Sequence, residues 1–334
     1  MVERQALTFV EAARLKAVGS HEYSIHVHED WSAAAAAHGG NLNALIWRAI
    51  SLHFQTTLVK QQQPDTVALH FEYLRPGVAG DAMIKIEDVR LGKASSAVQA
   101  TLSQGGKEKV RAFTVNVNRS KSNGISITSG YTRQPLEPPL DFDKLPLHQD
   151  PHWIRWENSW APNSPAKWLS NVIIAFRKEP DADRNMSDSW VRWKDPAQQW
   201  TTEMLGLVVD LSSPPAENHF EGSLNGQAAY AREAMGWVAE GRQPPMAVGW
   251  RVPRFYPTVS MSIDVKHALP PDGVEWLYVR ASTKSVLDGR VDVHVEVWDA
   301  EGRLIALSQQ MLMALDIGRS PVAKADAGKR KERL

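Results

Sequence analysis

Between residues 41 and 58, Leu42, Leu45, Ile46, Ala49, Ile50 and Phe54 recur at three- and four-residue spacing, which predicts a helix. Ala44 and Trp47 carry the apolar character around its circumference, so other elements should surround it. Upstream, YSIHVHEDW (23–31) reads as a short strand, followed by small residues and the turn His38-Gly39-Gly40. Downstream the period becomes two: Val67, Leu69, Phe71 and Tyr73 alternate with Ala68, His70 and Glu72, the pattern of a half-buried strand. Further strands are predicted over 82–90, 95–103 and 109–118, punctuated at Pro76-Gly77, Gly80-Asp81, Leu91-Gly92 and Gly105-Gly106. One central helix followed by an antiparallel meander is an α+β arrangement.

The same unit recurs near the C-terminus. Pro257–Ile263 matches Asp65–Phe71 in pattern, and each leads through a Pro-containing turn to an acidic turn residue, Asp272 or Asp81. Val291, Val293, Val295 and Val297 mark a strand, Asp299–Gly302 a hairpin turn and Arg303–Ala314 a last strand. A helix is expected before each strand set, over 41–58 and about 198–211. Two such copies suggest an internal pseudo-dimer in which each covers the other's exposed face. The expected organisation is a first unit over 1–119, a Pro-rich linker crossing the surface over 120–150, a second unit over 151–318, and a solvated basic tail over 319–334. An insertion at about 213–257 separates helix from strand in the second copy and includes a helix around QAAYAREAMGWVAE. It is either a surface excursion or a wall over a cleft. Seven of the 13 Trp lie between Trp153 and Trp200, to pack the junction of the halves or to line an apolar tunnel.

Composition narrows the chemistry. Lys+Arg 38 against Asp+Glu 38 gives no net charge, so no bulk attraction to nucleic acid or an anionic membrane is expected. Zero Cys excludes disulfides, Cys-ligated metals and a Cys nucleophile, and fits a reducing, cytoplasmic setting. No apolar run is long enough to span a bilayer, and MVERQALTFVEAARL lacks the basic start and apolar block of a secretory signal. Neither a G-x-S-x-G elbow nor a phosphate-cradling glycine motif occurs; Gly222-Ser223-Leu224-Asn225-Gly226 has the wrong spacing. His26-x-His28 has metal-like spacing on a strand but lacks a third ligand, so no metal is expected.

Three polar residues stand out in the second copy. Asp210 ends the apolar run Met204–Val209, where a carboxylate is either a helix-terminal residue leading into Ser212-Ser213-Pro214 or a base raised in pKa. Thr258 opens the strand that matches the one with Thr66. Gln310 adjoins Gln309 in the apolar strand LIALSQQMLMAL, and only one of the two can face a given site. A carboxylate, a hydroxyl and an amide could together hold a water against a carbonyl.

The order of elements, His38-Gly39-Gly40 before the first helix, LHFEYLRPGVAGD (69–81) and VRLGKASSAVQATLSQGGK resemble the tandem hotdog thioesterases, the acyl-CoA thioesterase II type and its fungal thioesterase-like relatives. The resemblance implies a double hotdog, each sheet wrapped around one helix. It also implies a catalytic water held by Asp210, Thr258 and Gln310, which breaks the tie between the glutamines, with Asp210 either a general base on that water or a direct nucleophile on the thioester. Gly39 and Gly40, with His38, are expected at the substrate, their amides facing the developing oxyanion. Ser260 stands where the family has an acidic residue. The implied activity is hydrolysis of a small-molecule acyl thioester carried by coenzyme A or an acyl carrier protein, without metal or redox cofactor, in a homo-oligomer. The other readings are a secondary-metabolite tailoring enzyme on the same fold and a non-catalytic apolar-ligand binder.

Overall fold

The structure, a computed structural model, describes residues 7–33, 35–121, 124–157, 167–180, 183–212, 214–219, 227–242 and 254–316. The basic tail, Gly222–Gly226 and much of the insertion lie outside the described residues.

Gly39–Gln55 forms helix α1, with buried side chains on every side, including Leu42, Leu45, Ile46, Trp47 and Ile50. Around it lie β1 (Glu22–Val27), β2 (Asp65–Tyr73), β3 (Gly80–Leu91), β4 (Ser95–Gln104) and β5 (Lys107–Val117). The second half contributes β6 (Trp153–Arg155), β7 (Val172–Arg177), β8 (Met186–Trp193), β9 (Thr258–Val265), β10 (Leu277–Ser282), β11 (Arg290–Asp299) and β12 (Leu304–Met313). All twelve belong to one 14-stranded sheet, in the order β1-β3-β4-β5-β2-β9-β12-β11-β10-β8-β7-β6 with neighbours antiparallel; the two-residue strands Lys16–Ala17, beside β1, and Val286–Leu287, beside β11, complete it. Strict alternation on β4, where Ser96, Val98, Ala100 and Leu102 are buried, turns one face of the sheet onto α1. Each Leu or Ile buried there contributes about 1.5–3 kcal/mol.

The halves join where β2 pairs with β9. Leu69 faces Ile263 and Phe71 faces Met261, with His70 opposite Ser262 between them and its Nδ1 2.8 Å from the Ser262 hydroxyl. Exchanging the halves maps one flanking pair onto the other, so a pseudo-two-fold axis passes through the His70–Ser262 pair. Both strands also carry a bulge at the same place, between Thr66 and Ala68 and between Thr258 and Ser260.

Several expectations need correction. The second central helix is not a continuous 198–211: Trp200 makes an isolated bridge to Val274, a 3-10 turn covers Thr202–Met204, and the α-helix α2 is only Leu205–Val208. The strand at 23–31 stops at Val27 and a 3-10 turn covers Glu29–Trp31. Strands β6–β8 went unpredicted because β8 is buried on both faces, which removes the alternation that marks a half-exposed strand.

The second face is covered by the segment read as a linker. Tyr131 stacks on Trp298, the Arg133 guanidinium lies over Trp298 and Tyr278, and Phe142 packs edge-on against Trp190. Buried Asp150 accepts the amides of Asp141, His152 and Trp153, each at 2.7 Å, which fixes the turn into β6. The described Trp residues between 153 and 200 therefore divide between two places. Trp153 and Trp190 lie under this strap, whereas Trp193 and Trp200 join Phe9 and Trp31 in the main core between the halves. Helix α3 (Gln227–Ala239), expected in the insertion, packs at the β6–β7 edge, with Tyr230 on Trp156 and Arg232 bonded to the Arg177 carbonyl. Among the described residues no helix is long and apolar enough to cross a membrane.

Candidate active site

The N-terminus of α1 meets the end of α2 at a close crossing. A Cβ on Gly40 would lie 3.0 Å from the Gly206 carbonyl and 3.0 Å from Leu207 Cα; one on Gly206 would lie 3.0 Å from Asn43 Cβ. Only glycine lets the two backbones approach this far. The chain leaves α2 through the cap residue Val209, and Asp210 follows in a turn, its amide donating to the Leu207 carbonyl at 3.0 Å. That turn aims the carboxylate at the start of α1, where Oδ2 accepts the Gly40 N–H at 2.6 Å. A helix start carries unpaired amides and the positive end of the macrodipole, so it favours an anion there.

Burial raises the Asp210 pKa above the ordinary carboxylate value, opposed by nearby His38 and the Gly40 hydrogen bond. His38 Nε2 lies 3.6 Å from Oδ2, and the His38 ring packs against Trp168 at 4.8 Å between centroids. Burial lowers the His38 pKa, against the pull of the Asp210 charge, so the ring is neutral at pH 7. The Asp210 side chain remains 16% exposed, enough for water to reach it.

Gln310 is buried on β12 and its Nε2 donates to the Val209 carbonyl at 2.8 Å, against the residue preceding Asp210. Gln309 is exposed, pointing to the opposite side. Thr258 comes to the Gln310 face by way of the bulge. It pairs with Leu312, and Met261 pairs with Gln310, so Thr258 and Met261 share a face although three residues apart. Diagonal neighbours of this kind stand about 7–8 Å apart. No hydrogen bond joins the Thr258 hydroxyl to Asp210 or Gln310 among the described residues. The structure therefore brings His38, Gly39, Gly40, Asp210 and Gln310 together and places Thr258 beside them.

The Gly40 amide is occupied by Asp210, which corrects its expected place as an oxyanion donor. Gly39 and Asn41 are the other amides of that first turn, and neither finds an acceptor among the described residues. Sequence reasoning also passed over Asn43 and Tyr73. The Tyr73 hydroxyl donates to Asn43 Oδ1 at 2.7 Å, and Asn43 Nδ2 reaches the Gly206 carbonyl at 3.4 Å and Met261 Sδ at 3.2 Å. Burial, then the Asp210 charge, raises the Tyr73 pKa well above its usual value, so it acts as a hydrogen-bond donor. The signal was present: a fully buried Asn within an apolar helix must find partners.

The first copy lacks this chemistry. The register puts Thr114 where Gln310 stands and Asn116 where Leu312 stands, with Thr66 bonded to Asn116.

Comparison with known proteins decides the family. The acyl-CoA thioesterase N-terminal domain matches residues 27–117, and the acyl-CoA thioesterase C-terminal domain matches residues 137–314. The chain belongs to the acyl-CoA thioesterase family. The thioesterase-like protein TwmA of Talaromyces wortmannii is 31% identical over 96% of both chains. The ustilagic acid biosynthesis cluster protein orf2 of Mycosarcoma maydis is 26% identical over 84% of this chain and 75% of its own. Among solved structures, a hot dog fold protein of Alicyclobacillus acidocaldarius superposes with a TM-score of 0.65 at 18% identity, covering 92% of this chain and 97% of its own. The acyl-CoA thioesterase II of Mycobacterium marinum gives 0.57 at 17%, covering 92% and 98%. The fold is thus a double hotdog, and the enzyme is a thioesterase-class hydrolase whose reaction is acyl thioester hydrolysis or a close relative of it.

Proposed function

We propose that the protein releases an acyl group from a coenzyme A or carrier-bound thioester by attack of a water that Asp210 deprotonates. The observation that carries this reading is the Asp210 carboxylate, held by the Gly40 amide and raised in pKa by burial, beside Gln310. A raised pKa makes the carboxylate a stronger base. The water oxygen forms a bond to the thioester carbon as its proton passes to Asp210. The charge on the carbonyl oxygen builds against the Gly39 and Asn41 amides at the helix start. Collapse breaks the C–S bond, and the proton returns from Asp210 to the departing sulfur. Gln310 and Thr258 orient the water from the strand side. Neutral His38 and Trp168 form the apolar wall for the thioester.

The relative named for a biosynthesis cluster supports an acyl group of secondary metabolism as substrate. The test is free-thiol release from acyl-CoAs of increasing chain length, parent against Asp210→Asn. Asn keeps an oxygen for the Gly40 amide, so the variant should fold and lose about 10²–10⁴-fold in turnover. An Asp210→Asn enzyme as active as the parent would sink the assignment.

A further inference from the structure

The opposite end of α1, about 20 Å along its axis from Gly40, carries a second polar cluster that the thioesterase reading does not use. His53 lies in the last turn of the helix with its side chain wholly buried. Its Nε2 is 2.9 Å from Asp88 Oδ1, and its Nδ1 is 3.1 Å from the Ser20 carbonyl and 3.2 Å from the Tyr23 hydroxyl. His21, in the turn before β1, places Nε2 3.2 Å from Asp88 Oδ2 and Nδ1 2.8 Å from the Ser20 hydroxyl. Asp88 continues the inward row Ala82, Ile84, Ile86 on β3, just ahead of a bulge between Asp88 and Arg90.

Ser20 thus holds the Nδ1 side of both rings, one through its carbonyl and one through its hydroxyl. With its proton on Nδ1, donated to the Ser20 carbonyl, His53 has its Nε2 lone pair free to ligate; in the other tautomer the Tyr23 hydroxyl donates to Nδ1 and Nε2–H to Asp88. His53 Nε2 faces one oxygen of the Asp88 carboxylate at 2.9 Å. His21 Nε2 faces the other oxygen of the same carboxylate. Among the described residues this is the one place where three such donors converge, with all ligand atoms within 4.8 Å of one another.

We propose that His21 Nε2, His53 Nε2 and the Asp88 carboxylate bind one divalent transition cation of the zinc type. Two imidazoles and a carboxylate are a donor set suited to zinc, and Nδ1 anchoring is how imidazole ligands are oriented. Metal–ligand distances of about 2.0–2.2 Å in tetrahedral geometry separate donor atoms by about 3.4 Å, so the two histidine–carboxylate contacts open by a few tenths of an ångström and the widest pair, within 4.8 Å, closes by up to about 1.4 Å. His21 is 38% exposed and Asp88 23%, which leaves an entry path and a fourth coordination position on the solvent side. The cation ties together the turn before β1, the C-terminal end of α1 and the end of β3. It lies far from Asp210 and takes no part in the proposed hydrolysis.

The test is calorimetric titration of the chelator-stripped full chain with Zn²⁺, together with its thermal midpoint with and without Zn²⁺. The proposal expects one site per chain and a higher midpoint with metal. His21→Ala and Asp88→Asn should abolish both effects; both residues are partly exposed, and circular dichroism checks that the variants fold. Ser20→Ala, which removes one orienting hydrogen bond, should weaken binding by about tenfold or more. His26→Ala should change nothing. Absence of stoichiometric binding would mean that hydrogen bonds to Asp88 alone hold the two rings, and would overturn the proposal. Binding that survives both His21→Ala and Asp88→Asn, or that is lost in His26→Ala instead, would overturn it equally.

Discussion

Replacing Gly40 with Ala tests the geometry on which the site depends. The added Cβ would stand 2.7 Å from Asp210 Cβ, 3.0 Å from the Gly206 carbonyl oxygen and 3.0 Å from Leu207 Cα. Carbon atoms in contact sit at about 3.5–4.0 Å, so the α2 end must retreat by roughly 0.5–1 Å. None of the three atoms is the far end of a flexible side chain, so the whole turn carrying Asp210 has to move. Overpacking of this kind costs about 1–3 kcal/mol, offset in part by the better helix propensity of Ala, worth up to about 1 kcal/mol. A displacement near 1 Å at the reacting group costs about 10²-fold in rate. Urea denaturation and thiol-release kinetics on the same preparations should therefore show a modest stability loss and a large loss of kcat. Gly236→Ala on α3, where a Cβ meets nothing within 4 Å, controls for helix propensity and should be neutral or slightly stabilising. A Gly40→Ala enzyme within about 0.5 kcal/mol of the parent and equally active would refute the close-crossing argument.

Three other outcomes follow from the same structure. The rate should fall as pH drops through the raised Asp210 pKa, so the acid limb of a kcat/KM profile should lie above the ordinary carboxylate value of about 3.9; a limb at or below it would count against Asp210 as base. Because burial raises that pKa on folding, the Asp210 contribution to stability is present below the unfolded value and lost as pH rises through the folded one. Asp210→Asn should therefore be more stable than the parent at neutral pH, and the gap should close in acid; calorimetry across pH checks both parts. Arg280→Met should cost about 3–5 kcal/mol in thermal unfolding, because it strands buried Asp188, now bonded twice at 2.8 and 2.9 Å, whereas adding Asp188→Leu should recover most of the loss.

Much of this fold could be read from the chain. Apolar residues at helical spacing over 41–58 marked α1, their spread around its circumference showed that it is surrounded, and alternation marked β2–β5, β11 and β12 because one face of each is buried and the other less so. Residue pattern also exposed the repeat, since equivalent strands at a pseudo-two-fold join need the same apolar positions. Where both faces are covered, as on β8, periodicity disappears and the strands went unseen. The candidate site divides similarly. Asp210 and Gln310 could be singled out as polar residues in apolar runs, and the family resemblance tied them to Thr258. Their juxtaposition depends on a glycine-to-glycine crossing and on a bulge, neither of which has a local hydrophobic signature. Tertiary structure alone showed that the Gly40 amide is taken by Asp210, that Asn43 and Tyr73 support the same corner, and that His21, His53 and Asp88 converge at the far end of the helix. Burial patterns are written into neighbouring residues because each side chain reports its own side of the chain. Meetings between residues 35 or 170 positions apart depend on how elements cross, and only packing decides that.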